Sequence, residues 1–218
     1  MMLNNLLKLS DQTQISLETD GYIVIKDFIT QSLTNSLALS FSMLRDGSHS
    51  SNGISIDDIT AFGDKRVSRS YSVSADPLFE NLLEKMTTKV ESITCKKLFP
   101  TYSYARIYYN GASLWKHSDR PSCEYSVTLC LSNDSVDWPI CIIDMNGVEQ
   151  RITQKPGDAI IYKGCELMHW RDEFCGTSHS QVFLHYVDQN GKYAEYAYDK
   201  RCGLNTGLQK TLDNKKNC

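Results

Sequence analysis

Two periodicities divide the chain. In the first part, Gly21-Tyr22-Ile23-Val24-Ile25-Lys26-Asp27-Phe28 is a β-branched run bounded by Asp20-Gly21, which predicts a strand. From Thr30, a predicted N-cap, Leu33, Leu37, Phe41 and Leu44 recur every three or four positions, so a helix with one face on a core is expected. Asp76-Pro77 forms an N-cap and first-turn pair, and Leu78, Leu82, Met86, Val90 and Ile93 at helical spacing predict a second helix. Between them, residues 46–71 are rich in Gly, Ser and Asp with weak periodicity, which predicts a long loop acting as a mobile cover over a site.

From residue 100 onward the pattern changes to short runs of strand character separated by turn residues. Strands are expected at 102–109, 124–131, 139–144, 148–153, 158–162, 181–187 and 193–198, with Asn146-Gly147 and Asn190-Gly191 as hairpin turns. Helices followed by many short strands imply a mainly β fold with flanking helices, whose strands close into a sandwich, jelly roll or small barrel. The tail from Thr211 is polar and expected to fray.

Composition narrows the class. A chain of 218 residues with 41% hydrophobic content can bury one substantial core, so a single domain over 1–218 is expected: helical support to about 99, a β core over about 100–200, and the polar tail. A formal net charge of −3 provides no long-range attraction for a phosphate backbone, which argues against general nucleic-acid binding. The opening MMLNNLLKLSDQ lacks the pattern of a secretory signal and no apolar run reaches membrane length, so a cytoplasmic protein with no membrane partner is expected. None of the eight cysteines forms a CxxC pair, and Cys130 and Cys141 sit inside apolar runs, which predicts reduced, mostly structural thiols.

The candidate chemistry lies in the β half. His117-Ser118-Asp119 follows the Asn110-Gly111 turn, and residues i and i+2 of an extended chain point to the same side, so both side chains can reach one ion. Two imidazoles and one carboxylate suit Fe(II), occupying one face of an octahedron and leaving three positions open. Pro156-Gly157-Asp158-Ala159-Ile160-Ile161-Tyr162 reads as a tight turn feeding a buried strand, and His169 shortly beyond it is the best third ligand. A bare HxD is a weak signal; the ordered set of strand, turn, HxD, further strands, turn, strand and His is more specific.

Through residues 100–188 this set resembles the iron(II)/2-oxoglutarate-dependent dioxygenases, especially their prolyl-4-hydroxylase-like branch. The matching segments are Arg106-Ile107-Tyr108-Tyr109-Asn110-Gly111 before HxD, Ser126-Val127-Thr128-Leu129-Cys130-Leu131 after it, and PGDAIIY with His169. The resemblance implies a double-stranded β-helix (jelly-roll) core supported by N-terminal helices. It implies Fe(II) on His117, Asp119 and His169, with 2-oxoglutarate and O2 as co-substrates, and hydroxylation of a C–H bond with release of succinate and CO2. The substrate would be a peptidyl residue, as for prolyl hydroxylases, or a small amino-acid-like molecule. One position departs from the pattern: where the branch has a basic residue for the far carboxylate of 2-oxoglutarate, this chain has His179. Arg106 ranks equally with His179 for that role, with Tyr108 and Thr128 as hydroxyl donors; Arg171 is a further candidate. Arg120 and Glu124, near the presumed metal, could bind a polar substrate or pair with each other, and His185 reads as a packed core histidine. The competing class is a non-catalytic, cupin-like jelly-roll module that binds a metal or ligand without turnover.

Overall fold

The computed structural model describes residues 17–52, 67 and 69–205, with backbone alone for 48–52. Strand β1 (Tyr22–Ile25) leads into helix α1 (Gln31–Asn52); β2 (Ser70–Ser74) precedes helix α2 (Pro77–Thr94). Eight strands follow: β3 (Leu98–Tyr109), β4 (Leu114–His117), β5 (Tyr125–Asn133), β6 (Ile140–Ile143), β7 (Glu149–Ile152), β8 (Ala159–Tyr162), β9 (His169–Arg171) and β10 (Ser178–Asp188). They form a six-stranded sheet in the order β1-β8-β5-β10-β3-β2 and a four-stranded sheet in the order β4-β9-β6-β7, with antiparallel pairing throughout.

The period-two alternation of the large sheet separates two environments. Ala105, Ile107, Val127, Leu129, Ile161, Val182 and Leu184 turn outward and join Leu37 and Phe41 of α1 and Phe79, Leu83 and Val90 of α2 in one buried cluster. The alternate residues, among them Tyr104, Arg106 and Tyr108 of β3 and Phe183 and His185 of β10, line a cavity with residues of the small sheet. The helices thus brace the sheet from behind and leave its polar face for chemistry. Asp76 caps α2 as expected, its side chain accepting from the Leu78 amide at 2.9 Å.

Several expectations change. Residues 46–52 continue α1, and β2 begins at Ser70, so the expected loop over 46–71 is shorter at both ends; residues 53–66 and 68 of it lie outside the described residues, as does the tail from Thr211. The segment expected as a strand at 193–198 is a 3-10 stretch, Ala194–Lys200, in which Tyr198, Asp199 and Lys200 have φ of 53°, 56° and 61°. A run of left-handed residues cannot join a ladder, so Asn190-Gly191 closes a turn and not a hairpin. Asn146-Gly147 does close one: Asp144 accepts from the Asn146 and Val148 amides, and β6 pairs with β7. Strands β2, β4 and β9 lie outside the expected set: Leu114–His117 and His169–Arg171 carry no apolar alternation of their own, and Ser70–Ser74 alternates over only two apolar positions. Among the described residues six cysteines are free, including the buried Cys123, Cys130 and Cys141, whereas Cys202 is disulfide-bonded, a departure from the expectation of reduced thiols. No helix among the described residues is long and apolar enough to cross a membrane.

Candidate metal centre

Register in the small sheet creates the site. On the paired strands β4 and β9, His117 stands directly opposite His169, which brings residues 52 positions apart into contact, with ring centroids 4.4 Å apart. Asp119 leaves β4 and is fastened by its amide to the Gly164 carbonyl at 2.8 Å. Its Oδ1 lies 3.6 Å from His117 Nε2 and 3.7 Å from His169 Nε2, so the three ligand atoms converge on one point. His117 Nδ1 faces the Trp115 carbonyl at 2.7 Å and His169 Nδ1 faces the Leu167 carbonyl at 3.0 Å. A neutral imidazole must donate there, which leaves each Nε2 lone pair toward Asp119. Burial lowers the His169 pKa and keeps that ring neutral. Burial alone would raise the Asp119 carboxyl; the facing His117, then His169 and His185, lower it below the usual carboxylate range wherever those rings carry a proton. A carboxylate and two imidazole lone pairs on one face of a cavity are a fitting donor set for Fe(II).

Gly164, which no sequence motif singles out, makes room for this arrangement. A Cβ there would lie 2.6 Å from Asp119 Oδ2 and from Ser126 Oγ, and would also press on the Cys123 carbonyl.

The triad opens on a cavity of about 460 Å³ walled by Tyr102, Tyr104, Arg106 and Tyr108 of β3, by Tyr162, by Phe183 and His185, and by Ser72 and Ser74 of β2. Arg171 closes one side. It follows His169 by two residues and points to the same side of β9. Its guanidinium donates to the Trp138 carbonyl at 2.5 Å and to Gln154 Oε1 at 3.3 Å, and sits 4.7 Å from the Trp138 ring. The adjacent Asp172 pairs with Arg151 at 2.8 Å. Among the described residues Arg171 meets no carboxylate. Burial pulls its pKa down from an ordinary value so high that the group stays charged at neutral pH.

The remaining expected residues fall into two groups. Arg106 and Tyr108 line the cavity, Arg106 donating to the Tyr104 hydroxyl. Thr128 acts at a distance: its hydroxyl donates to Gln181 Oε1 at 3.0 Å, and Gln181 Nε2 donates to Gln154 Oε1, the oxygen that Arg171 also engages. His179 is buried within 5.3 Å of Trp138, 6.1 Å of Phe174 and 6.5 Å of Tyr108, ring centre to ring centre, and among the described residues neither of its ring nitrogens has a hydrogen-bond partner. Burial, with help from the Arg171 charge, lowers its pKa to about 3. Arg120 makes a bidentate pair with Asp199 at 2.6 and 2.9 Å and lies 4.4 Å from the Tyr102 ring, while Glu124 accepts from the Asp188 amide at 2.8 Å; neither lines the cavity. Gln154 and Gln181 escaped sequence reasoning because isolated amides carry no spacing signal.

No family model and no curated protein matches the sequence. Solved structures do. A Pseudomonas putida prolyl-4-hydroxylase superposes with a TM-score of 0.63 at 16% identity, over 84% of this chain and 98% of that one. HygX from Streptomyces hygroscopicus, bound to nickel, 2-oxoglutarate and hygromycin B, gives 0.64 at 12% identity over 84% and 88%. A Trichoplax adhaerens prolyl hydroxylase in complex with a hypoxia inducible factor peptide gives 0.63 at 13% over 86% and 93%. At these identities the likeness is one of fold, and the chain has the double-stranded β-helix fold of the 2-oxoglutarate-dependent iron oxygenases.

Proposed function

We propose that the protein is an Fe(II)- and 2-oxoglutarate-dependent dioxygenase, with His117, Asp119 and His169 as the metal ligands and Arg171 as the anchor for the far carboxylate of 2-oxoglutarate. The observation that carries this reading is a convergent His-Asp-His face sharing one cavity with a buried guanidinium that meets no carboxylate among the described residues. When bound, Fe(II) with 2-oxoglutarate and O2 supplies oxidative decarboxylation to succinate and CO2, coupled to hydroxylation of a C–H bond. The protein's own groups position the reactants. His117 and His169 offer fixed lone pairs, and Asp119 offers one negative oxygen. Arg171 gives a planar double donor suited to a carboxylate, and Tyr108 lines the same cavity. The Thr128–Gln181–Gln154 chain holds that guanidinium in place. His179, neutral and enclosed by aromatic rings, shapes the apolar flank, so the charge that the branch carries at this position is supplied from β9. Arg106 stands on β3 between Tyr104 and Tyr108 and lines the same cavity. Arg120 and Glu124 hold the segment beside Asp119 in place. A peptidyl residue or a small amino-acid-like molecule is the proposed substrate; the Trichoplax relative holds a peptide and HygX a small molecule.

Anaerobic titration of metal-free protein with Fe(II) and 2-oxoglutarate tests the reading through the visible charge-transfer band of the chelate. We expect the band in the wild type and its loss in His117→Ala and His169→Ala. Arg171→Gln should retain metal binding but weaken 2-oxoglutarate by about 1.5–3 kcal/mol, the worth of hydrogen bonds to a charged group. The same loss in Arg106→Gln, with Arg171→Gln unaffected, would move the anchor to β3. Absence of both the band and aerobic succinate release would leave a jelly-roll binding module in place of an enzyme.

A further inference from the structure

Ser126 and His185 have no part in the roles assigned above, although both reach the metal centre. They stand opposite one another on β5 and β10, and both are buried. Ser126 Oγ lies 3.0 Å from Asp119 Oδ2, 3.0 Å from His185 Nδ1 and 3.3 Å from the Cys123 carbonyl. The oxygen it meets is not the one that faces the imidazoles, which is Oδ1. A hydroxyl has one proton and an ionised carboxylate can only accept. Ser126 therefore donates to Oδ2, the charged acceptor, and His185 donates from Nδ1 to the serine oxygen. The His185 ring is held against Tyr102, with centroids 4.5 Å apart, so its donor is aimed by packing.

Resting on the reading of His117, Asp119 and His169 as an iron site, we propose that Ser126 and His185 are positioning residues that occupy Asp119 Oδ2 and restrict this carboxylate to single-oxygen coordination through Oδ1. Two-oxygen chelation by Asp119 would take one of the positions that 2-oxoglutarate and O2 need. Gly164 completes the device by letting Oδ2 approach the backbone of the loop that carries it.

Co(II) is the probe: the full-length metal-free protein is titrated anaerobically, and both affinity and the visible bands, which report coordination number, are read. Ser126→Ala and His185→Leu are expected to lose about 10-fold or more in Co(II) affinity and to shift the bands. Ser126→Thr, which keeps the hydroxyl, and His185→Asn, whose amide donor falls near the Nδ1 position, are expected to recover both readouts. An unchanged affinity and spectrum in Ser126→Ala overturns the proposal. So does an equal loss in the conservative variants, which would mean packing alone. If His185→Leu fails to fold, the two serine variants and His185→Asn decide the matter. A wild type that binds no Co(II), or binding that survives His117→Ala, brings down the iron-site reading and this inference with it; a wild type that binds while Ser126→Ala is unchanged brings down only the inference.

Discussion

Gly164 carries no functional group, yet the Asp119 carboxylate and the Ser126 hydroxyl occupy the space its side chain would fill. Gly164→Ala should push Asp119 off its position, costing about 10-fold or more in Co(II) affinity and about 1–3 kcal/mol of stability through overpacking. Metal titration and urea unfolding of the same variant measure the two effects. His179 makes a different prediction. Its folded pKa, about 3, is depressed below its unfolded value. As pH falls, the unfolded chain therefore takes up the proton first. The stability present above about pH 6.5 is lost progressively from there down to about pH 3, at up to about 1.4 kcal/mol per pH unit. His185, lowered to about 4 by burial, adds a slope of the same sign. His179→Phe keeps an aromatic ring in the box and should flatten the dependence by one proton, as read from urea midpoints at pH 7, 5 and 4.

At the scale of elements, the two helices stabilise the sheet by burying the apolar half of its alternation. Phe41 of α1 and Phe79 of α2 are wholly buried and meet edge to face, with centroids 5.1 Å apart and planes at 81°. Phe79→Ala should cost about 3–5 kcal/mol, whereas Asp76→Ala, which removes only the cap of α2, should cost about 1 kcal/mol. Chemical denaturation separates the two. Both helices were legible because their apolar residues repeat at helical spacing over several turns and Asp-Pro marks one start. β9 was not legible: His169-Trp170-Arg171 has no alternation of its own and becomes a strand only because β4 and β6 pair with it on either side.

Across the whole molecule, the C-terminal segment is fastened to the helical layer by charge. Arg201 donates to Glu80 Oε1 at 2.5 Å and to the Thr101 carbonyl at 3.0 Å, and the Asn205 amide also binds Glu80. Glu80 is fully buried on α2. Glu80→Gln leaves a buried guanidinium without its partner and should cost about 3–5 kcal/mol, while the double change Glu80→Leu with Arg201→Met should cost less, since a packed apolar pair replaces the ions. Thermal melts of the single and double variants check this. The neighbouring Arg120–Asp199 pair runs from the residue after Asp119 to a left-handed turn, so the same segment also braces the loop of Asp119.

By itself the sequence determined the features that depend on neighbours in the chain: the two helices, the switch to period-two alternation, the turns at Gly111, Gly147 and Gly157, and the types and order of the candidate metal-binding residues His117, Asp119 and His169. These are local because backbone sterics and face-by-face burial act over a few residues. Tertiary structure alone decided what depends on register between distant strands. It set His117 against His169, placed Arg171 in the cavity while His179 is enclosed by aromatic rings, and joined Ser126 and His185 behind Asp119. It also turned 193–198, whose residues read as a strand, into part of a 3-10 stretch that ends in left-handed Tyr198, Asp199 and Lys200, with Asp199 and Arg201 paired to Arg120 and Glu80 just beyond it.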